Sequence, residues 1–138
     1  MSDGSELERG REREKEPPFD RMGGEPVLRA VIDDFVERVF SDLMIGFMFR
    51  DADRARIKAL EYEHASQFLG GPEHYTGRPL RAAHARHRVN GGQFARRIHL
   101  LRQVCDAHAV PADVRDAWLA HNEALRAQIT QQPTGKCL

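Results

Sequence analysis

The sequence predicts an all-α domain. Apolar residues recur at helical spacing in four long stretches, glycine and proline fall between those stretches, and no run alternates with the period of two expected of a half-buried strand. At 138 residues the chain is long enough for one hydrophobic core and too short for two.

Residues 1–18 are charged and nearly devoid of large apolar side chains, with Arg9, Arg11, Glu12, Arg13, Glu14, Lys15 and Glu16 crowded ahead of Pro17-Pro18. Such a segment buries too little surface to offset its ordering entropy, and it reads as a disordered or frayed helical extension. Gly23-Gly24 then makes a turn into the first long helix. Pro26 is tolerated there because an amide in the first turn has no helical partner. The doublets Val27-Leu28, Val31-Ile32, Phe35-Val36 and Val39-Phe40 recur every four residues and lay a broad apolar stripe on that helix. Leu43 to Phe49 is apolar but aperiodic and reads as a buried corner.

A second helix is expected from about Ala52 to Leu69, with the stripe Ile57, Leu60, Glu61, His64, Ala65 and Phe68. Two polar residues therefore sit on a face that should be apolar. Gly70-Gly71-Pro72 ends it, since glycine accepts the left-handed terminating conformation and proline cannot continue the ladder. A loop through Tyr75, Thr76 and Gly77 leads to a short helix, roughly Pro79 to His87, with Leu80, His84 and His87 on its inner edge. After Gly91-Gly92 a third long helix carries Phe94, Ile98, Leu101, Cys105 and His108. Pro111 opens a fourth with Val114, Trp118, His121, Leu125 and Ile129. The folded domain is expected over 19–130, and 131–138, containing Pro133 and Gly135, reads as a flexible tail.

The 21 basic and 21 acidic residues cancel, so no global field attracts nucleic acid or an anionic membrane. Cys105 and Cys137 form neither a disulfide framework nor a zinc pattern. No apolar run is long enough for a membrane span, and the N-terminus lacks the hydrophobic stretch of a signal peptide. A soluble cytoplasmic protein is the expectation.

Seven histidines invite a metal reading. His74 lies in a loop and His99 off any stripe, so both read as solvated surface, while His108 and His121 read as hydrogen-bonded residues at the core boundary. His84 and His87 share one face of a short helix, and on spacing either serves as a metal ligand or as a structural histidine. Glu61 and His64 form half of a di-iron carboxylate pattern, Glu-x-x-His, but no second copy occurs. An internal Glu–His hydrogen bond is the simpler reading.

Several segments in order resemble the truncated haemoglobins, most of all group 1. Phe19-Asp-Arg-Met-Gly-Gly-Glu is similar to the family's short first helix and glycine turn, although the family usually begins this segment with tyrosine. Phe35-Val-Glu-Arg-Val is similar to its second helix, and Phe47-Met-Phe49 to the aromatic corner against the haem. The most specific portion is Leu69-Gly-Gly-Pro followed by Tyr75-Thr-Gly-Arg-Pro-Leu-Arg-Ala-Ala-His84. The resemblance implies a two-over-two helical sandwich around haem b, with His84 rather than His87 as the ligand to iron. It puts Phe49 on the porphyrin, and it makes Leu80, Val89, Phe94 and Ile98 cofactor contacts. Ile57, Glu61, Ala65 and Phe68 fall on the distal helix face, and Val36 and His64 join the distal pocket. Tyr75 and Arg78 lie at the haem edge, Arg78 as a propionate partner or as a solvated arginine.

Two positions depart from the family. Members that hold oxygen tightly usually have tyrosine where this chain has Val36, and commonly glutamine where it has Glu61. Valine donates nothing, and an ionised Glu61 repels the partial negative charge of bound dioxygen unless it is protonated or paired with His64. The leading expectation is reversible binding of a diatomic gas, oxygen or nitric oxide, by a monomer or weak homodimer. The alternatives are haem redox activity, such as nitric oxide dioxygenation with a separate reductase, and a haem-free sensor or interaction module.

Overall fold

In the computed structural model, which describes residues 16–79 and 89–130, six α-helices and one 3-10 turn build the domain, and the described residues contain no strand. The helices are α1 (Pro18–Arg21), α2 (Gly24–Ser41), α3 (Arg54–Leu69), α4 (Gly91–Ala107), α5 (Ala112–Ala124) and α6 (Arg126–Ile129), with the 3-10 turn at Gly46–Phe49. The expected extension before residue 16, the short helix bearing Leu80, His84 and His87, and the tail from 131 lie outside the described residues.

α2 is the spine. Its doublets bury Leu28, Val31, Ile32, Phe35, Val36 and Val39, each contributing about 1.5–3 kcal/mol of transfer free energy. Gly23 enters it at φ +122°, where a side chain would be strained and a Cβ would collide with Val27. α2 packs against both α3 and α4, and α4 packs against α5, which gives two helix pairs, α2 with α3 and α4 with α5.

α3 starts at Arg54, two residues later than Ala52, because the Asp53 carboxylate accepts from Arg56 N at 3.2 Å and caps the first turn. It ends at Gly70, whose φ of +86° is the left-handed cap the sequence suggested. Its fully buried edge is Tyr62, Ala65, Ser66 and Leu69, rotated from the predicted stripe because α3 packs on α1 and α2 along that edge. Ile57, Leu60, Glu61, His64 and Phe68 form a second, half-buried face.

Asn90, rather than the glycine pair, opens α4. Its side chain accepts from Gln93 N at 2.8 Å while Gln93 Oε1 accepts from Asn90 N at 2.9 Å, a reciprocal capping box. Inside α4, Phe94, Leu100, Leu101, Val104 and Cys105 are buried and Ile98 is half-buried. His108 meets the expectation of a hydrogen-bonded boundary residue: its Nε2 lies 2.9 Å from Asp34 Oδ2. Asp34 also accepts from Arg38, and this guanidinium, with His108 as a lesser cause, holds the carboxyl below its usual range.

The buried corner is corrected. Ile45 is 3% exposed, but Leu43 is fully exposed and Met44 and Phe47 are more than half exposed. Asp42 folds this segment tightly by accepting from Met44 N, Ile45 N and the Arg96 guanidinium. Leu43 and Met44 turn outward within the Asp42 turn, and in the 3-10 turn that follows Met48 and Phe49 pack against the core while Phe47 faces out.

Candidate functional site

The two helix pairs converge on the half-buried face of α3. Val36 is buried in the core on α2, and Phe49, Ile57 and Phe68 pack against that core partly buried. Phe49 also meets the Phe40 ring at 5.3 Å. Ala65 is buried, Phe94 fully so, and Val89 and Ile98 are half-buried. Arg78 is exposed, and its carbonyl accepts from the Tyr75 hydroxyl at 2.6 Å, which closes the loop after α3. Leu80 and His84 lie outside the described residues.

Glu61 faces α4. Its Oε1 accepts from Arg97 Nη1 at 2.8 Å and its Oε2 from Arg97 Nη2 at 3.0 Å, a bidentate pair with side chains 25% and 21% exposed. Arg97 Nη2 also donates to Asn122 Oδ1 at 3.3 Å, while Asn122 Nδ2 donates back to Trp118 O. The guanidinium lies 4.9 Å from the centre of the Phe35 ring. Three helices, α3, α4 and α5, are thereby joined through one cation. Glu61 is thus paired with a cation from α4, a partner the sequence reading did not weigh beside protonation or His64. Among the described residues, the buried side-chain polar atom left without a partner is Arg97 Nε. A cavity of about 10 Å³ lies between Arg97, Glu61, His64, Phe35, Trp118 and their neighbours.

His64, one turn along α3 from Glu61, stacks on His121 of α5 at 5.5 Å and takes the Tyr75 ring edge-on at 5.6 Å. Phe68 also stacks on His121, with ring centres 4.1 Å apart. Burial pushes both imidazoles below the usual histidine range. For His64 the Glu61 charge opposes this, while His121 and Arg97 reinforce it. The site therefore presents neutral rings beside one clamped ion pair. No group of three or more histidine, cysteine, aspartate or glutamate residues suited to hold a bare metal ion occurs among the described residues.

Residues 18–131 match the family profile described as bacterial-like globin. The chain belongs to the truncated haemoglobin family, and it is a haem-binding globin. A group 1 truncated hemoglobin of Mycolicibacterium paratuberculosis is 28% identical over 130 residues, covering 94% of this chain and 96% of that one. Its counterpart in Synechocystis is 30% identical over 100 residues, 70% of this chain and 81% of the relative. Among solved structures, the 2/2 hemoglobin of a Synechococcus species with covalently attached heme superposes with a TM-score of 0.79 at 19% identity, over 85% of this chain and all of that one. The truncated hemoglobin of Tetrahymena pyriformis superposes with a TM-score of 0.77 at 22% identity, over 83% of this chain and 97% of that one. These likenesses establish the two-over-two fold.

The residues present in this globin fit a flat, mostly apolar cofactor. One helix face carries Ile57, Leu60, Glu61, His64 and Phe68 only half-buried, and the adjoining Arg97 keeps a buried Nε–H that no described residue accepts. Arg97 and Asn122 were missed by the sequence reading. Arg97 follows Phe94 by three residues and precedes Leu101 by four, so spacing alone puts it on the inner face of α4. Asn122 holds the buried position four residues after Trp118, where the predicted stripe used His121.

Proposed function

We propose that this globin reversibly binds a diatomic gas, oxygen or nitric oxide, at haem b, with His84 as the protein ligand to iron. The observation that carries the reading is the half-buried face of α3, apolar at Ile57, Leu60 and Phe68 and polar at Glu61. When bound, the haem supplies a ferrous iron with one coordination position for the gas.

The chain's own residues do the rest. Phe49, Ile57, Phe68, Val89, Phe94 and Ile98, with Leu80, give the cofactor an apolar surround that excludes water. The neutral His64 and His121 rings extend that surround without adding charge. Val36 offers the gas no donor, so polarity reaches the pocket from α3 and α4. Tyr75 and Arg78 border the cofactor edge, where the exposed guanidinium is a propionate partner.

Purified full-length protein supplied with haemin tests this directly. A Soret band that forms stoichiometrically, shifts with carbon monoxide and is lost or displaced in His84→Ala is the expected result. A wild-type chain that takes up no haem, or a band indifferent to His84→Ala, refutes it.

A further inference from the structure

We propose that the Nε–H of Arg97 is the hydrogen-bond donor this globin presents to its gas ligand, taking the place left without a donor at Val36. The inference deepens the gas-binding reading and rests on it. Arg97 is not a solvated arginine. Both Nη groups are committed, to the two oxygens of Glu61 at 2.8 and 3.0 Å and to Asn122 at 3.3 Å, and the guanidinium plane is held near the Phe35 ring. These contacts fix the fork through three of its five N–H donors, and the Nε–H is not among them. That N–H is buried, and no described residue accepts from it.

A buried donor without a partner is costly, and native proteins rarely keep one. The adjoining cavity of about 10 Å³ is near the ~10–15 Å³ that one water needs, so a small acceptor belongs there. Glu61, His64 and Ala65, which line that cavity together with Arg97, belong to the α3 face that the gas-binding reading puts over the cofactor. Because Glu61 cancels the net charge, the pocket offers a directed donor rather than a general attraction for anions. Such a donor favours ligands whose outer atom carries partial negative charge, oxygen above carbon monoxide.

The test uses the haem-loaded full chain, with carbon monoxide as the probe of local field and oxygen as the ligand. In Arg97→Met the C–O stretching frequency should rise and oxygen dissociation should accelerate on the order of ten- to a hundredfold, the range for one lost charge-assisted hydrogen bond. Arg97→Met/Glu61→Leu separates the missing N–H from the effect of the carboxylate's charge, since it carries neither charge. The same rise and acceleration are expected there, and a return to wild-type values overturns the proposal. In the wild-type cyanide complex, a slowly exchanging arginine Nε–H with a shift displaced by the haem is expected regardless of how the variants fold. Its absence overturns the proposal too. A wild-type chain that binds no haem defeats the gas-binding reading itself, whereas a haem-loaded wild type whose C–O stretch matches Arg97→Met defeats this inference alone.

Discussion

Replacing Arg97 by methionine should destabilise the fold by about 2–3 kcal/mol, and the structure sets that figure between two limits. Fully exposed ion pairs contribute roughly 0–1 kcal/mol, and removing one partner of a fully buried pair costs about 3–5 kcal/mol. Arg97 and Glu61 are 21% and 25% exposed, so the loss falls nearer the buried limit. The methionine stem retains most of the packing against Phe35, which leaves the loss of the bidentate bond to the Glu61 carboxylate as the dominant cost. For a domain of this size the loss corresponds to a fall in Tm of roughly 6–12 °C. Urea unfolding followed by far-ultraviolet circular dichroism of wild type, Arg97→Met, Glu61→Leu and the double variant completes the cycle. A coupling free energy above about 1 kcal/mol is expected, with the double variant close to wild type because apolar replacement of a buried pair is often neutral. Single variants that each cost under ~0.5 kcal/mol with no coupling would show that the pair behaves as a surface contact.

Other consequences follow from burial elsewhere. His64 and His121 have lowered pKa values, so between the ordinary histidine value and the lowered one the unfolded chain binds more protons than the folded chain. Stability should therefore decline as pH falls below about 6.5, and His64→Phe should flatten that slope in unfolding midpoints measured from pH 7.5 to 5.5. Trp118→Ala, at a side chain 3% exposed beside the small cavity, should cost about 3–5 kcal/mol by circular dichroism; a cost under 1 kcal/mol would mean the site collapses freely. Burial pushes the Cys105 thiol up to about 12, so in Cys137→Ser no thiol should react with an aromatic disulfide reagent at pH 8 until denaturant is added.

What the sequence disclosed and what it hid divide along physical lines. Repeating signals were legible: the four-residue doublets of α2, the Gly70 terminator of α3 and the breaks at Gly91 and Pro111 all correspond to observed elements. Local capping was legible only in part, since the competition between Asn90 and Gly91-Gly92 for the start of α4 is decided by a side-chain geometry that composition does not reveal. The corner after α2 misled because hydrophobicity was read without pitch. Six of its seven residues are apolar, but Leu43, Met44 and Phe47 turn outward after the Asp42 turn. The partner of Glu61 was hidden for a different reason. Arg97 is 36 residues away, and a charged residue on an apolar face is easily assigned to solvent when its counter-ion belongs to another helix.

That pairing also governs how substitutions on the ligand face of α3 must be interpreted. Glu61 sits on that face, yet through Arg97 and Asn122 it ties α3 to α4 and α5, so one carboxylate serves both the pocket's polarity and the alignment of its walls. Removing it changes the two together. Glu61→Gln keeps an acceptor for Arg97 and discards the charge, whereas Glu61→Leu discards both. If the carboxylate acts on the gas through its charge, the two variants should alter oxygen dissociation alike although their stabilities differ. If it acts by holding Arg97 in place, Glu61→Gln, which keeps one of the two acceptor oxygens, should fall between wild type and Glu61→Leu in dissociation rate. The bidentate geometry and the committed Nη groups favour the second outcome, since a guanidinium released from its clamp no longer presents Nε in one direction.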